Sequence, residues 1–310
     1  MKGVLIIDKP AGFTSHDVVA RVRRILQQRA VGHLGTLDPM ATGVLPLVLG
    51  NMTRLAQFYL KSEKSYEGTI RFGFATDTYD AEGEPSASPQ ESTLTLEQVR
   101  ELATKFTGVI EQMPPPYSAK KIAGVPAYKL ARKKQEVALT PVQVEIKEFE
   151  ILSMQNACAS FQARVTSGTY MRSVANDMGQ LAGCGAHLQS LRRTTVAEFG
   201  LENAYTLQRL EEDFHMEQSL NRKQEFKREE DVKRDEAFAD LFVHPRKLLP
   251  SLPAVTATDE MVSRIRHGRP VNLPELSRAR EVKVFYGQRD LIAICTRVAG
   301  TLFHPRIVLL

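Results

Sequence analysis

The segment Val31-Gly32-His33-Leu34-Gly35-Thr36-Leu37-Asp38-Pro39-Met40-Ala41-Thr42-Gly43-Val44-Leu45 constrains this chain more than any other. Three glycines, one histidine and one carboxylate make it too irregular for a helix or a strand. Glycines at 32, 35 and 43 permit positive φ and let another chain approach the backbone closely. Pro39 pushes Asp38 out of the α region into an extended or turn geometry. The apolar run Val44 to Leu49 then reads as a buried strand that anchors the loop. An acid at the apex of a loop held by a rigid strand is a common way to present a reactive side chain. Asp before Pro is also ordinary turn chemistry, so spacing alone favours a structural Asp38 over a catalytic one.

The chain around this segment alternates short strands with helices. Gly3 to Ile7 reads as a buried strand ended by the turn Asp8-Lys9-Pro10-Ala11-Gly12. Ser15 stands as N-cap of a helix with Val18, Val19, Val22, Ile25 and Leu26 on one face. Arg21, Arg23 and Arg24 lie on or beside its other face, most simply as solvated charge, with phosphate contact as the alternative. Thr53 is expected to open a further helix with Leu55, Phe58 and Tyr59 inward, and Ser65 to Gly73 alternates with strand period. Thr76 to Gly83 is acidic and turn-like, without the ligand spacing or terminal Glu of a calcium loop. Thr95-Leu96-Glu97-Gln98 is a capping box for a helix to about Phe106. Strands are expected over Val142–Leu152 and Ala159–Val165, and a helix from about Met171 to Ala182. That helix puts Arg172 in its first turn, where the dipole disfavours a cation unless a carboxylate faces it.

With 310 residues and 43% hydrophobic content, the chain can bury a core without covalent staples and fits one large domain plus a small one, or two domains. Cys158, Cys184 and Cys295 are odd in number and far apart, so neither a disulfide framework nor a zinc site is expected, which fits a cytoplasmic location. The start, MKGVLIIDKPAG, is too short for a signal peptide, and no apolar run reaches membrane-spanning length. Charge is unevenly placed. Residues 211–240 hold 11 acids and 6 bases, a local −5 within an overall +5, so the remainder carries +10. That imbalance suggests a polyanionic partner. Residues 118–134 carry Lys120, Lys121, Lys129, Arg132, Lys133 and Lys134 with no acid, beside Tyr117 and Tyr128. Basic charge interleaved with aromatics suits neutralisation of a backbone plus stacking in single-stranded RNA.

GHLGTLDPMATG lacks the GK[ST] ending of a phosphate-binding loop, and no GxGxxG, HExxH or GxSxG pattern occurs. What remains is one acid on a glycine loop, a strand tyrosine, a helix-start arginine and a basic surface. From Lys247 onward short strands and turns suggest a small β-rich, barrel-like module.

Five motifs in order resemble the TruB-type bacterial tRNA pseudouridine-55 synthases: Lys9-Pro10-Ala11-Gly12-Phe13-Thr14-Ser15, Gly32 to Pro39, Tyr66-Glu67-Gly68, Gly168-Thr169-Tyr170-Met171-Arg172-Ser173 and Leu191-Arg192-Arg193. Tyr128-Lys129-Leu130-Ala131-Arg132 matches as well. The resemblance implies an α+β pseudouridine synthase fold: a mixed, largely antiparallel central sheet flanked by helices and loops, plus a small C-terminal PUA-like β-barrel module. It implies a catalytic domain over 1–210 with a thumb-like RNA-binding loop at about 115–141. A charged linker, helical or partly disordered, would cover 211–247, and an RNA-binding module 248–310. The 211–240 stretch is longer and more charged than the family leads one to expect, and the C-terminal module is short and divergent.

By the same resemblance the chain isomerises a uridine in the T-arm of tRNA, without cofactor, metal or guide RNA, as a cytoplasmic monomer with no membrane contact. Asp38 matches the obligatory aspartate, acting as nucleophile at the ribose or as base on a ribose proton. Arg172 matches its counter-charge, and Tyr66 the tyrosine that stacks on the target base. Tyr170 and Leu191 match pocket walls, His33 a residue that holds the flipped nucleotide, and Lys120, Lys121 and Arg132 the RNA clamp. Guide-RNA-dependent relatives and a purely RNA-binding scaffold are the alternatives. The compact portion beginning at Met1 and the bacterial-type thumb argue against the first, and the Asp38, Tyr66 and Arg172 set against the second.

Overall fold

A run of strand that is apolar at every position needs cover on both faces, and two such runs, Val4 to Ile7 and Val44 to Leu49, lie near the start of the chain. In the computed structural model, which describes residues 1–118, 121–122, 125–126, 139–224, 239–275 and 277–310, β1 (Gly3–Lys9) is followed by α1 (Ser15–Ile25), β2 (Val31–His33) and β3 (Thr42–Leu49). β1 and β3 pair antiparallel, with Gly3 opposite Leu49 and Lys9 opposite Gly43. Alternation then divides their side chains between two faces. Leu5, Ile7, Leu45, Leu47 and Leu49 join the α1 residues Val18, Val19 and Val22 in one core. Val4, Ile6, Val44 and Val48 face the opposite way into a second core.

A 3₁₀ stretch, Gly50–Leu55, and the single turn α2 (Ala56–Tyr59) replace the longer helix expected from Thr53. Then come β4 (Lys64–Phe72), α3 (Leu96–Thr104), β5 (Gly108–Gln112), the short pair β6 (Lys121–Ile122) and β7 (Val125–Pro126), β8 (Val142–Gln155) and β9 (Cys158–Val165). α4 (Met171–Leu181), β10 (Ala186–Val196), β11 (Phe199–Gly200) and α5 (Leu207–Gln224) follow. The main sheet runs β1-β3-β10-β4-β9-β8-β5, with β2 on β3 and β11 on β10. Among the described residues only β3 and β10 pair in parallel within it, so the sheet is mixed and largely antiparallel, as expected.

Two local expectations are corrected. Thr14, not Ser15, caps α1: its hydroxyl accepts from Asp17 N–H while Asp17 closes a capping box. The segment from Val31 is not irregular throughout, because Val31–His33 adds β2 to the edge of β3. Of the candidate arginines on α1, Arg21 pairs with Glu211 of α5 and Arg23 donates to the Val31 carbonyl. α5 also seats Leu210 and Phe214 in the first core.

The C-terminal part is the small β module foreseen. β12 (Ala254–Thr256), α6 (Asp259–Arg266), β13 (Val271–Asn272), β14 (Glu281–Tyr286), β15 (Asp290–Ala299) and β16 (Leu302–Val308) form a sheet of order β12-β14-β15-β16-β13 with α6 alongside. Val255, Ile265, Val282, Val284 and Phe303 give it a core of its own. Phe285, Leu291, Ile294, Ile307 and Leu309 instead enter the second core beside Val4, Val44 and Val48. The module therefore covers the face of the main sheet that α1 and α4 leave open. No helix among the described residues is long and apolar enough to cross a membrane.

Gly43 is the tightest point of the β3–β10 pairing. It has φ +100°, and a Cβ there would stand 2.1 Å from the Arg193 carbonyl oxygen. Gly43→Ala is expected to cost at least about 2 kcal/mol, from backbone strain and a parted strand pair. Denaturant unfolding measures this, and a change of only a few tenths would contradict it.

Candidate active site

Short strands on either side of Asp38 set the ends of its loop, and three polar side chains set its shape. Ser15 Oγ accepts from Leu37 N–H at 2.8 Å and contacts Leu37 O at 3.1 Å. Lys9, fully buried at the end of β1, donates from Nζ to the carbonyls of Pro39, Phe13 and Pro10 at 3.0, 2.6 and 2.9 Å. Arg193 of β10, also fully buried, donates to Val44 O, Thr36 O and Gly35 O at 2.8, 3.2 and 3.0 Å. The loop's carbonyls are thus bound on both sides of Asp38, and Ala41 N–H closes a turn on Asp38 O at 3.1 Å. Burial lowers the Arg193 pKa, an effect opposed by Tyr66 and Asp38.

The carboxylate meets Arg172, in the first turn of α4, as the helix dipole required. Arg172 Nη2 donates to Asp38 Oδ1 at 3.1 Å, and Nε lies 2.9 Å from Oδ2 in an ion contact outside hydrogen-bond geometry. The same guanidinium donates to Thr78 O at 3.1 Å and Tyr117 O at 2.9 Å. It lies 3.5 Å from Asp80 Oδ2. Exposure separates the two acids: the Asp80 side chain is 5% exposed and that of Asp38 36%. Asp80 compensates the buried cation from behind, while Asp38 opens toward solvent.

It opens into a cavity of about 320 Å³. Six candidates from the sequence, Asp38, Tyr66, Arg172, His33, Tyr170 and Leu191, line this one space. Tyr66 comes from β4 opposite Arg193 of β10, and Leu191 from β10 opposite Gly68. Tyr170 is the N-cap residue of α4, and burial raises its hydroxyl pKa. His33 accepts on Nδ1 from Gly35 N–H at 3.4 Å, and burial together with Arg193 lowers its pKa, which favours the neutral ring. Lys120 and Arg132 lie outside the described residues. Of Lys121 the backbone is described, opposite Pro126 in the β6–β7 pair.

Four residues not singled out from sequence also shape the site: Lys9, Lys64, Asp80 and Arg193. Lys64 lines the cavity, with its pKa brought down to about 8 by burial and by Arg193. Glu82 stands near Asp38 and Asp80, and its pKa is raised by burial first and then by those two charges. The signal available in sequence was a lysine at the end of a strand begun by a long apolar run, and an arginine pair inside β10. Gly35 (φ +131°) and Gly43 (φ +100°) adopt the positive φ expected of them, but the expected close approach by another chain is not what is seen. Gly43 is approached by the chain's own Arg193 backbone, and Gly32 is ordinary strand without positive φ.

A chain in the crystal structure of a Cbf5–Nop10–Gar1 complex superposes with a TM-score of 0.71 at 25% identity, covering 99% of this chain and 85% of that one. A chain in the crystal structure of the archaeal box H/ACA sRNP Nop10–Cbf5 complex gives 0.68 at 24%, over 99% and 86%. Residues 23–171 match the N-terminal domain of TruB family pseudouridylate synthase, and 172–229 the C-terminal domain of tRNA pseudouridylate synthase B. A tRNA pseudouridine synthase B of Solibacter usitatus (strain Ellin6076) is 45% identical over 100% of both chains. The homonymous protein of Geobacter sulfurreducens is 40% identical over 87% of this chain and 83% of its own. The chain belongs to the TruB family of pseudouridylate synthases, and is an isomerase.

Lys9 gives this site a measurable pH signature. Burial brings its pKa from 10.5 down to about 8, against the pull of Asp38 and Glu82. Between those values the unfolded chain holds a proton that the folded chain has released, so this residue makes stability rise with pH. Lys9→Met should flatten the slope of unfolding free energy against pH from 8 to 10.5. Equal slopes in the two proteins would contradict the assignment.

Proposed function

We propose that this isomerase converts uridine 55 in the T-arm loop of tRNA to pseudouridine, with Asp38, Tyr66 and Arg172 as its catalytic residues. The observation that carries the reading is the Arg172–Asp38 ion contact at the floor of the Tyr66 cavity. The curated relatives that match most of the chain are named for the tRNA reaction, which supports tRNA as the substrate.

The chemistry conserves every atom. The bond from N1 to the ribose breaks, the uracil turns in the cavity, and C5 bonds to the same carbon. The C5 proton leaves, and N1 gains one. Asp38 acts on the ribose, as nucleophile or as base for a ribose proton, and either route uses the ionised carboxylate that Arg172 faces. Tyr66 offers a flat ring on which the freed base turns without breaking a set of directional bonds, and lies within the cavity to help remove the C5 proton. Tyr170 and Leu191 wall the base, and neutral His33 holds the nucleotide. A loop base reaches this cavity only by extrusion from its stack, at a cost of a few kcal/mol. Lys120, Lys121 and Arg132 clamp the opened arm from the thumb segment 115–141.

We read 1–210 as the catalytic domain, 211–247 as the connection and 248–310 as an RNA-binding module, in a monomer acting in the cytoplasm. Similarity to a chain solved in a Cbf5–Nop10–Gar1 complex raises a second reading, in which the enzyme acts with partner proteins and a guide RNA. The full-length relative at 45% identity outweighs it. Position-resolved mapping of pseudouridine in unmodified tRNA, incubated with the purified chain and no guide RNA, separates the two. Modification at uridine 55 is expected, and none without a guide would overturn the reading.

Asp38→Asn should abolish product while leaving tRNA affinity within about threefold, since the phosphate contacts remain. A fully active Asn variant would sink the assignment. Lys120→Ala with Lys121→Ala should weaken tRNA binding and reduce the slope of log affinity against log salt by one to two, about 0.7–0.9 for each phosphate no longer neutralised. An unchanged slope excludes those lysines from the clamp.

A further inference from the structure

Helix α4 begins without a side-chain cap of its own: the Tyr170 side chain makes no hydrogen bond to the first turn. Both backbone groups of Tyr170 are taken instead by one distant side chain. The Gln112 carboxamide, 1% exposed, accepts from Tyr170 N–H at 2.8 Å and donates to Tyr170 O at 3.1 Å. A side-chain amide bonded to both groups of one residue acts as an extra peptide unit, and fixes that residue's φ and ψ. Tyr170 walls the cavity, and Arg172 stands two residues further on.

Gln112 is also the last residue of β5, opposite Val142 of β8, and so sits at the base of the 113–141 segment. Two more bonds tie the start of that segment to α4. Ser173 Oγ donates to Met113 O at 2.7 Å, and Arg172 Nη2 to Tyr117 O at 2.9 Å. The second of these comes from the same nitrogen that donates to Asp38 Oδ1 at 3.1 Å. Any displacement of residues 112–117 therefore moves the donor that Asp38 shares.

We propose that Gln112 is a positioning residue that joins the base of the 113–141 segment to the Asp38–Arg172 pair. Gln112 touches no reacting atom and acts through Tyr170 and Arg172. The proposal rests on the catalytic reading of those residues given above.

Two variants test it. Gln112→Met keeps length and bulk and removes both bonds, whereas Gln112→Glu keeps only the acceptor. Single-turnover pseudouridine formation is measured at saturating tRNA, together with the Kd for tRNA. Gln112→Met should lose about 10- to 100-fold in rate, as ångström-scale misplacement does, with Kd within about twofold. Gln112→Glu should fall between it and the wild-type protein. A wild-type rate in Gln112→Met overturns the proposal, as does a loss carried by Kd and not by the saturated rate. If Gln112→Met does not fold by circular dichroism, Gln112→Glu carries the same comparison. Asp38→Asn in the same assay keeps the two readings apart. An active Asp38→Asn removes the site assignment, while an inactive one beside a fully active Gln112→Met removes the coupling alone.

Discussion

The Arg172 guanidinium is a charge inside protein, and the site is arranged around that cost. Leaving such a cation unpaired would cost about 3–5 kcal/mol, so partners are recruited from three separate segments. Asp80 and the Thr78 carbonyl come from the loop after β4, the Tyr117 carbonyl from the segment after β5, and Asp38 from between β2 and β3. The two acids carry the charge unequally. Asp80 is buried and bonded to Thr78 Oγ1 at 2.6 Å, so its geometry is spoken for. Asp38 is partly exposed and opens into the cavity. A buried cation with one dedicated acid can hold a second one in place and leave it reachable.

Precision at Asp38 depends in turn on a sheet that cannot slide. β3 and β10 form the one parallel pairing described in the main sheet, and the Gly43–Arg193 contact at its start leaves no room for a side chain. Arg193 on one side and Lys9 on the other bind the carbonyls of the loop that β3 closes. The opposite face of these strands is sealed by the C-terminal module, which reaches toward the cavity wall. Tyr59, a cavity residue, donates to Glu198 Oε1 at 2.6 Å, and Leu249 N–H donates to the same oxygen at 2.8 Å. Lys283 of β14 donates to Leu248 O at 2.7 Å beside that junction. The junction between the two parts is accordingly a polar network inside an apolar core. Such a contact fixes orientation more firmly than apolar packing alone.

Strands and helices were legible because their apolar periods are local. VLII and VLPLVL announced strands covered on both faces, and Thr95 to Gln98 formed the capping box it spelled. Six of the nine candidate side chains could be gathered into one site only through the family's motif order, since Asp38 and Arg172 are 134 residues apart. Asp80 was hidden for the reverse reason. Its turn reads as solvated acid, and only the sheet order brings it to Arg172. Lys9 and Arg193 were obscured by base rate, as a lysine in a DKPAG turn is ordinarily exposed. Nothing local tells that backbone carbonyls will surround it.

Those two buried cations alter the meaning of the glycines. A glycine-rich loop at a site commonly leaves space for a ligand backbone, yet here the space at Gly43 is filled by the chain itself. The loop around Asp38 is thus fixed by the chain's own groups, with Lys9, Ser15 and Arg193 bonded to its backbone. Preorganisation of this kind lowers the barrier in the step that needs geometry. The other end of the Arg172 network is the Tyr117 carbonyl, where the chain leads out to the basic segment. On the proposed reading, RNA held by that segment and the Asp38–Arg172 pair are joined through one nitrogen, Arg172 Nη2, which donates both to Tyr117 O and to Asp38 Oδ1.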